Sequence, residues 1–166
     1  MGALIPDLQQ PVIFIAEPGR EEEVIVRLSR VGYDNTLGYL KDGIHAWRKA
    51  GNAFDTVMSV SAGEFAVHYK KHKLPVLDVR KPADYEAEHV EDALNLPLDS
   101  INDHFNQLDR HKAYYLYCAG GYRSMIYASI LKSRGYDQLV DIAGGFKAIA
   151  ETDVPKTEYV CPSSSS

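Results

Sequence analysis

Along the chain, short apolar and β-branched runs alternate with longer stretches whose apolar positions recur at helical spacing. The β-rich runs are "PVIFIA", "NTLGYL", "TVMSVS", "LPVLDV", "ALNLPL" and "AYYLYC", with a weaker one at "QLVDIA". Between several of them lie the helical patterns "REEEVIVRLSRVG", "DGIHAWRKAG", "AGEFAVHYKKHK", "RSMIYASILKSRG" and "GGFKAIAE". Strands alternating with helices predict an α/β protein, three-layered, with a mainly parallel sheet. In such sheets reactive groups gather at the carboxyl ends of strands, in the loops that enter helices.

The pattern repeats. Residues 20–47 align with residues 123–149: Leu28 falls on Leu131, Gly32 on Gly135, and, after one residue of slack, Gly43 on Gly145. Upstream, "PVIFIAEPGR" falls on "YYLYCAGGYR". Repetition at this length implies two copies of one structural unit. The first copy has about ten residues before its strand and the second about 60. The expectation is therefore a truncated half-unit over residues 1–51, a linker at 52–55, an intact domain over 56–159 and a flexible polar tail at 160–166. A half-unit leaves apolar surface that absent strands would cover. That surface is expected to dock on the intact domain, to self-associate or to stay mobile, and the chain reads as part of a longer protein.

Composition narrows the function class. A net charge of −5 without a basic stripe argues against nucleic acid as a main partner. No apolar run approaches the roughly 20 residues that span a bilayer, and "MGALIPDLQQ" has neither a basic n-region nor a long apolar core. Neither a membrane nor a secretory route is expected. Two cysteines give no disulfide framework, which points to a reducing, cytoplasmic setting.

One of those cysteines carries the chemistry. Cys118 ends a strand, Gly120 and Gly121 follow, then Arg123, Ser124 and a helix. A free thiol has a pKa near ~8.5 and reacts as thiolate. The helix start aims unpaired N–H groups and the positive dipole end at the loop. The glycines let successive amides converge, and Arg123 adds positive charge. The product is an anion cradle over the sulfur, suited to a persulfide, a thiosulfate-like species or a phosphate. The first copy has Ile15 at the aligned position, within "IAEPGRE", and is expected to be inert. Cys161, in a polar tail beside Pro162, reads as an incidental thiol.

With these residues in view, the second copy resembles a rhodanese (sulfurtransferase) domain. The resemblance runs through Asp78 and Arg80 at a strand end, Tyr85–Glu86, His89, Asn95 and Pro97, and the loop at 118–123. It departs at Glu88, where glycine is common, and at Ile149, where an aromatic is frequent. A cysteine-less half followed by an intact unit is similar to the C-terminal portion of metallo-β-lactamase-fold persulfide dioxygenase–rhodanese fusions. The resemblance implies Cys118 as nucleophile, taking sulfane sulfur from thiosulfate or glutathione persulfide. It passes that sulfur to cyanide, sulfite or a thiol, with no cofactor beyond the cysteine persulfide. Loop amides from Ala119 through Gly120, Gly121 and Tyr122 to Ser124 would stabilise the persulfide, and Arg123 would orient an anionic donor. Ser124 either caps the helix or donates to the sulfur. Arg80 either greets substrate at the site mouth or pairs with Asp78. Tyr122 either walls the pocket or is an ordinary surface tyrosine.

Two competitors stand beside this expectation. Cysteine phosphatases share the strand–loop–helix plan, but carry a longer loop than the four residues between Cys118 and Arg123, and Tyr117 replaces the histidine of their "HC" pair. A non-catalytic docking or regulatory module is the other, and the acidic "EPGREEE" makes the first copy its better candidate. His68 and His72 stand one helical turn apart, a metal-ligand spacing, but the lysines between them favour a solvated face. Gly144 and Gly145 are expected to let a turn pass close to the cysteine loop.

Overall fold

The computed structural model describes residues 4–5, 7–73 and 75–161. The "MG" start and the tail from residue 162 lie outside the described residues. The chain divides into two compact units, Met1–Thr56 and Val57–Ser166. The expected joint at 52–55 stands next to this division.

In the first unit, β1 (Val12–Phe14) pairs in parallel with β2 (Thr36–Tyr39), with α1 (Glu21–Ser29) between them and α2 (Gly43–Lys49) after. Glu21, Glu22 and Glu23 occupy the first turn of α1, where the helix dipole favours negative charge. Among the unit's described residues only Leu28 and Tyr33 are buried. Ile13, Ile15, Leu37 and Tyr39 all stand exposed. A parallel pair this small has no second layer on which to bury its alternate side chains.

The second unit carries a five-stranded parallel sheet ordered β3-β7-β6-β4-β5. Its strands are β3 (Met58–Ser61), β4 (Val76–Asp78), β5 (Leu94–Asn95), β6 (Tyr114–Tyr117) and β7 (Leu139–Ala143). The helices are α3 (Ala62–His72), α4 (Pro82–Ala87), α5 (Ile101–His104), α6 (Tyr122–Ser133) and α7 (Gly145–Ala150). This is the three-layer α/β architecture expected from the alternation. The weak "QLVDIA" run forms the longest strand, because β7 lies inside the sheet and is paired on both edges.

α3 starts on a capping box: the Ser61 hydroxyl accepts the Glu64 amide at 3.2 Å, and the Glu64 carboxylate accepts the Ser61 amide at 2.8 Å. Phe65, Ala66 and Tyr69 of α3 pack with Val76, Tyr117, Ile142 and Ile149 into a core between the sheet and the α3/α7 layer. α6 lies against β6 and β7, burying Ser124, Tyr127, Ala128 and Leu131. β4, β6 and β7 thus end side by side, and the loops after them form one rim.

Candidate active site

β6 delivers Cys118 to that rim, and the thiol is buried. The chain then turns at Gly121, whose φ of 93° belongs to the left-handed region, and enters α6. Gly121 is the N-cap, and no side chain caps the helix. The Cys118 sulfur lies against this helix start. The Gly121 amide donates to Cys118 Sγ at 3.1 Å, and the Ser124 hydroxyl lies 3.6 Å from it and 3.3 Å from the Gly121 carbonyl. Ser124 is therefore not the helix cap. It sits inside the first turn because the chain has already capped itself at Gly121.

Burial alone would push the Cys118 thiol up. The Ser124 hydroxyl and the amides of Ser124, Gly120 and Gly121 outweigh that and hold it below its ordinary value. Arg123 is not among these causes. Its guanidinium, partly exposed, reaches Asp84 of α4 at 3.8 Å. Tyr122 is 79% exposed and stands in solvent at the loop. Ala119 and Gly120 complete the turn.

The loop is held from behind by the turn before α7. The Phe146 amide donates to the Cys118 carbonyl at 2.6 Å, and the Lys147 amide to the Ala119 carbonyl at 3.2 Å. A Cβ on Gly145 would overlap the Cys118 carbonyl oxygen, and one on Gly121 would meet the Gly144 amide nitrogen at 3.3 Å. The double glycine exists for this close approach, as the sequence suggested.

Asp78 and Arg80 pair with each other. Arg80 Nε lies 3.0 Å from both Asp78 oxygens, Nη2 lies 2.6 Å from Oδ2, and Nη2 also donates to the Glu88 carbonyl at 2.7 Å. The guanidinium stacks 4.2 Å from the Phe146 ring centroid and 5.5 Å from that of Tyr117. Burial pushes the Arg80 pKa down, and the Asp78 carboxylate more than restores it, leaving it raised. Both side chains are enclosed, and the Arg80 donors face Asp78 and Glu88. The pair braces the strand ends beneath the loop. His89 is likewise built in: it stacks on Tyr85 at 3.6 Å between centroids, with Nδ1 2.7 Å from the Tyr85 carbonyl.

Two acidic residues near the loop escaped sequence reasoning. Asp84 pairs with Arg123, a contact that nothing in the spacing announces. Asp141 is buried within β7, and its signal was visible: an acid in "LVDIA", where alternation puts an apolar residue. Among the described residues no group of three or more His, Cys, Asp or Glu side chains is placed to hold a metal. No described helix is long and apolar enough to cross a membrane.

A family model described as Rhodanese-like domain matches residues 61–152. The chain belongs to the rhodanese-like domain family. Its rhodanese-like region is similar to the uncharacterized protein YqhL of Bacillus subtilis, 36% identical over 84 residues, which are 51% of this chain and 65% of that protein. It is also similar to the thiosulfate sulfurtransferase GlpE of Coxiella burnetii, 31% identical over 78 residues, 47% of this chain and 73% of GlpE. The chain thus spans about two thirds of the length of the first of these relatives. Among solved structures, a rhodanese-related protein from Thermoplasma volcanium superposes with a TM-score of 0.55 at 28% identity, covering 60% of this chain and 97% of that one.

Proposed function

We propose that this chain is a sulfurtransferase that carries sulfane sulfur as a Cys118 persulfide. One observation carries the proposal: a buried sulfur faces the start of α6, with the Gly121 amide at 3.1 Å and the Ser124 hydroxyl at 3.6 Å. These donors stabilise a negative sulfur as an oxyanion hole stabilises a negative oxygen. The similarity to a thiosulfate sulfurtransferase supports the same class.

In the first half-reaction the Cys118 thiolate attacks the outer sulfur of thiosulfate. The new S–S bond forms as the donor S–S bond breaks, and its electron pair leaves on sulfite. In the second, cyanide attacks the outer sulfur of the persulfide, thiocyanate departs and the thiolate returns. Glutathione persulfide serves equally as donor, with glutathione thiolate as leaving group, and sulfite or a thiol as acceptor. The cycle is covalent catalysis in two steps, with ping-pong kinetics. It needs no cofactor, and it suits a reducing cytoplasm in which Cys118 stays a thiol.

Arg123 attracts anionic donors once they displace Asp84. Asp78 and Arg80 serve substrate through the loop they brace, without touching it. The tandem of a cysteine-free and a cysteine-bearing unit supports kinship with the persulfide dioxygenase–rhodanese fusions. Exposed Ile13, Ile15, Leu37 and Tyr39 support self-association through the first unit, and light scattering giving a monomer at all concentrations would remove that element.

The test is intact mass after brief incubation with thiosulfate and, separately, glutathione persulfide, in wild type and Cys118→Ser. The expected result is a gain of one sulfur, lost on adding cyanide and absent from the variant. No gain from either donor in folded wild-type protein overturns the proposal and leaves a docking module.

A further inference from the structure

The Cys118 loop, "CAGGYRS", contains one charged side chain, Arg123. Its guanidinium, on the first turn of α6, lies 3.8 Å from the Asp84 carboxylate, on the first turn of α4. The separation is beyond hydrogen-bond reach, and both side chains are partly open to water. A cation at a helix N-terminus works against the dipole, so Arg123 stands there at a cost to α6. The other arginine of the rim, Arg80, is enclosed and turned to Asp78 and the Glu88 carbonyl. Each arginine has an aspartate, but the two pairs differ. The Arg80 pair is buried and hydrogen-bonded and braces strand ends. The Arg123 pair is loose and half-exposed, and such a pair contributes little to stability. Its place beside the thiol gives it another use.

We propose that Asp84 is a specificity-determining residue that weighs sulfur donors by their charge. By offsetting Arg123 it holds back the compact thiosulfate dianion and favours donors with little negative charge at the sulfane sulfur, the thiol-borne persulfides. This inference rests on Cys118 being the sulfur acceptor. The chemistry admits both kinds of donor; Asp84 sets their relative rates.

The charges decide it. Thiolate attack on a neutral persulfide, R–S–SH, gathers one negative charge. The new S–S bond forms, the old one breaks with its pair on the departing thiolate, and the proton stays on the outer sulfur. Attack on thiosulfate gathers three negative charges, and sulfite leaves with the electron pair. The Gly121 amide and the Ser124 hydroxyl face a single sulfur. The further charge of the dianion falls to Arg123, which Asp84 already offsets. The energy of an ion near a fixed charge scales with its own charge, so Asp84 acts most strongly on the dianion.

The probes are thiosulfate and methanethiosulfonate. Both present a sulfane sulfur on a sulfonyl group, and they differ by one charge; methanesulfinate leaves from the second as sulfite leaves from the first. Second-order loading rates of Cys118 are read by intact mass at low ionic strength. In Asp84→Asn, thiosulfate should load about fourfold faster and methanethiosulfonate about twofold, a factor of about two per donor charge for an exposed ion pair. Asp84→Lys doubles the change in charge, and the ratio of the two rates should move about fourfold towards thiosulfate. Asp84→Glu keeps the charge and should keep the wild-type ratio. Glu86→Gln makes the same change in net charge on the same helix, about 200° around it, and should leave the ratio where it is. High ionic strength should erase the differences. A ratio that Asp84→Asn and Asp84→Lys do not move, or that Glu86→Gln moves as far as Asp84→Asn does, overturns the proposal and leaves Cys118 as the sulfur carrier. No loading of any variant by either donor overturns both readings.

Discussion

The two strand-to-helix turns at Ile15 and Cys118 begin with the same pattern and end as different objects. Both follow a short parallel strand, both precede a helix, and both carry an arginine five residues on. At Cys118 the turn is short of side chains and rich in amides, so the helix start converges on the sulfur. At Ile15 the turn reads "EPGR": Pro18 has no N–H to offer, and Arg20 is held by Glu17 at 3.3 Å and Glu23 at 2.8 Å. Positive charge at the second turn is held only loosely, Arg123 lying 3.8 Å from Asp84; at the first it is held closely by two glutamates. The lesson is that the strand–loop–helix scaffold is not the site. The site is what the loop leaves unfilled.

The largest expected difference tests that statement from both sides. Cys118→Ser should abolish sulfur loading outright. Ile15→Cys should gain none, and its thiol should alkylate with an ordinary midpoint near ~8.5. A persulfide at position 15 in the double variant Ile15→Cys, Cys118→Ser, seen by peptide mass, would mean that the scaffold suffices and that the comparison is wrong.

Much of this contrast was legible before any coordinates. The strand, glycine and helix signals around Cys118 are local, and local signals survive folding. So did the turn at Gly144 and Gly145: both take positive φ, and a Cβ on Gly145 would strike the Cys118 carbonyl. What stayed hidden depends on distance in space. Ser124 as a cap was a fair expectation from its place before a helical run, but Gly121 turned the chain earlier. Arg80 could face either solvent or Asp78, and the fold decides for Asp78, with Phe146 stacked over the guanidinium. The Asp84–Arg123 pair joins two helices with no pattern between them. The helices at Pro82–Ala87 and Ile101–His104 are too short for a periodicity to declare itself.

Next in size is the brace beneath the loop. Asp78→Ala would leave the Arg80 guanidinium buried without its partner, which costs about 3–5 kcal/mol. The measurement is chemical denaturation followed by far-UV circular dichroism. Arg20 of the first unit and its glutamates lie at the surface instead, and Arg20→Ala should move the unfolding midpoint little. Equal effects would show that burial does not separate the two.

Glycine gives a finer comparison. Gly43 and Gly145 are aligned, and both have positive φ, 58° and 59°. Alanine at 145 meets the Cys118 backbone, so strain and collision add, and Gly145→Ala should cost about 3 kcal/mol or more. Alanine at 43 meets only Ile15 Cγ2 at 3.4 Å, an ordinary contact, and should cost the conformational strain alone, about 1–2 kcal/mol. Trp47, the single tryptophan, reports the first unit by fluorescence. Gly145→Ala should also slow Cys118 alkylation at neutral pH, while Gly43→Ala leaves it unchanged.

The smallest effect is a dependence of stability on pH that only the second unit should show. The loop amides and Ser124 hold the Cys118 thiol below its unfolded value. Above the unfolded value the thiol is ionised in both states, and the native donors contribute their full stabilisation. As pH falls through the folded value the thiolate protonates, and that contribution is lost. Each unit between the two values amounts to about 1.4 kcal/mol. Wild type should therefore gain on Cys118→Ser as pH rises from neutrality to about 9, by denaturation midpoints at each pH. A constant difference across that range would mean that the amides point at the sulfur without favouring its charge. Cys118 would then be no better prepared than the Ile15 position.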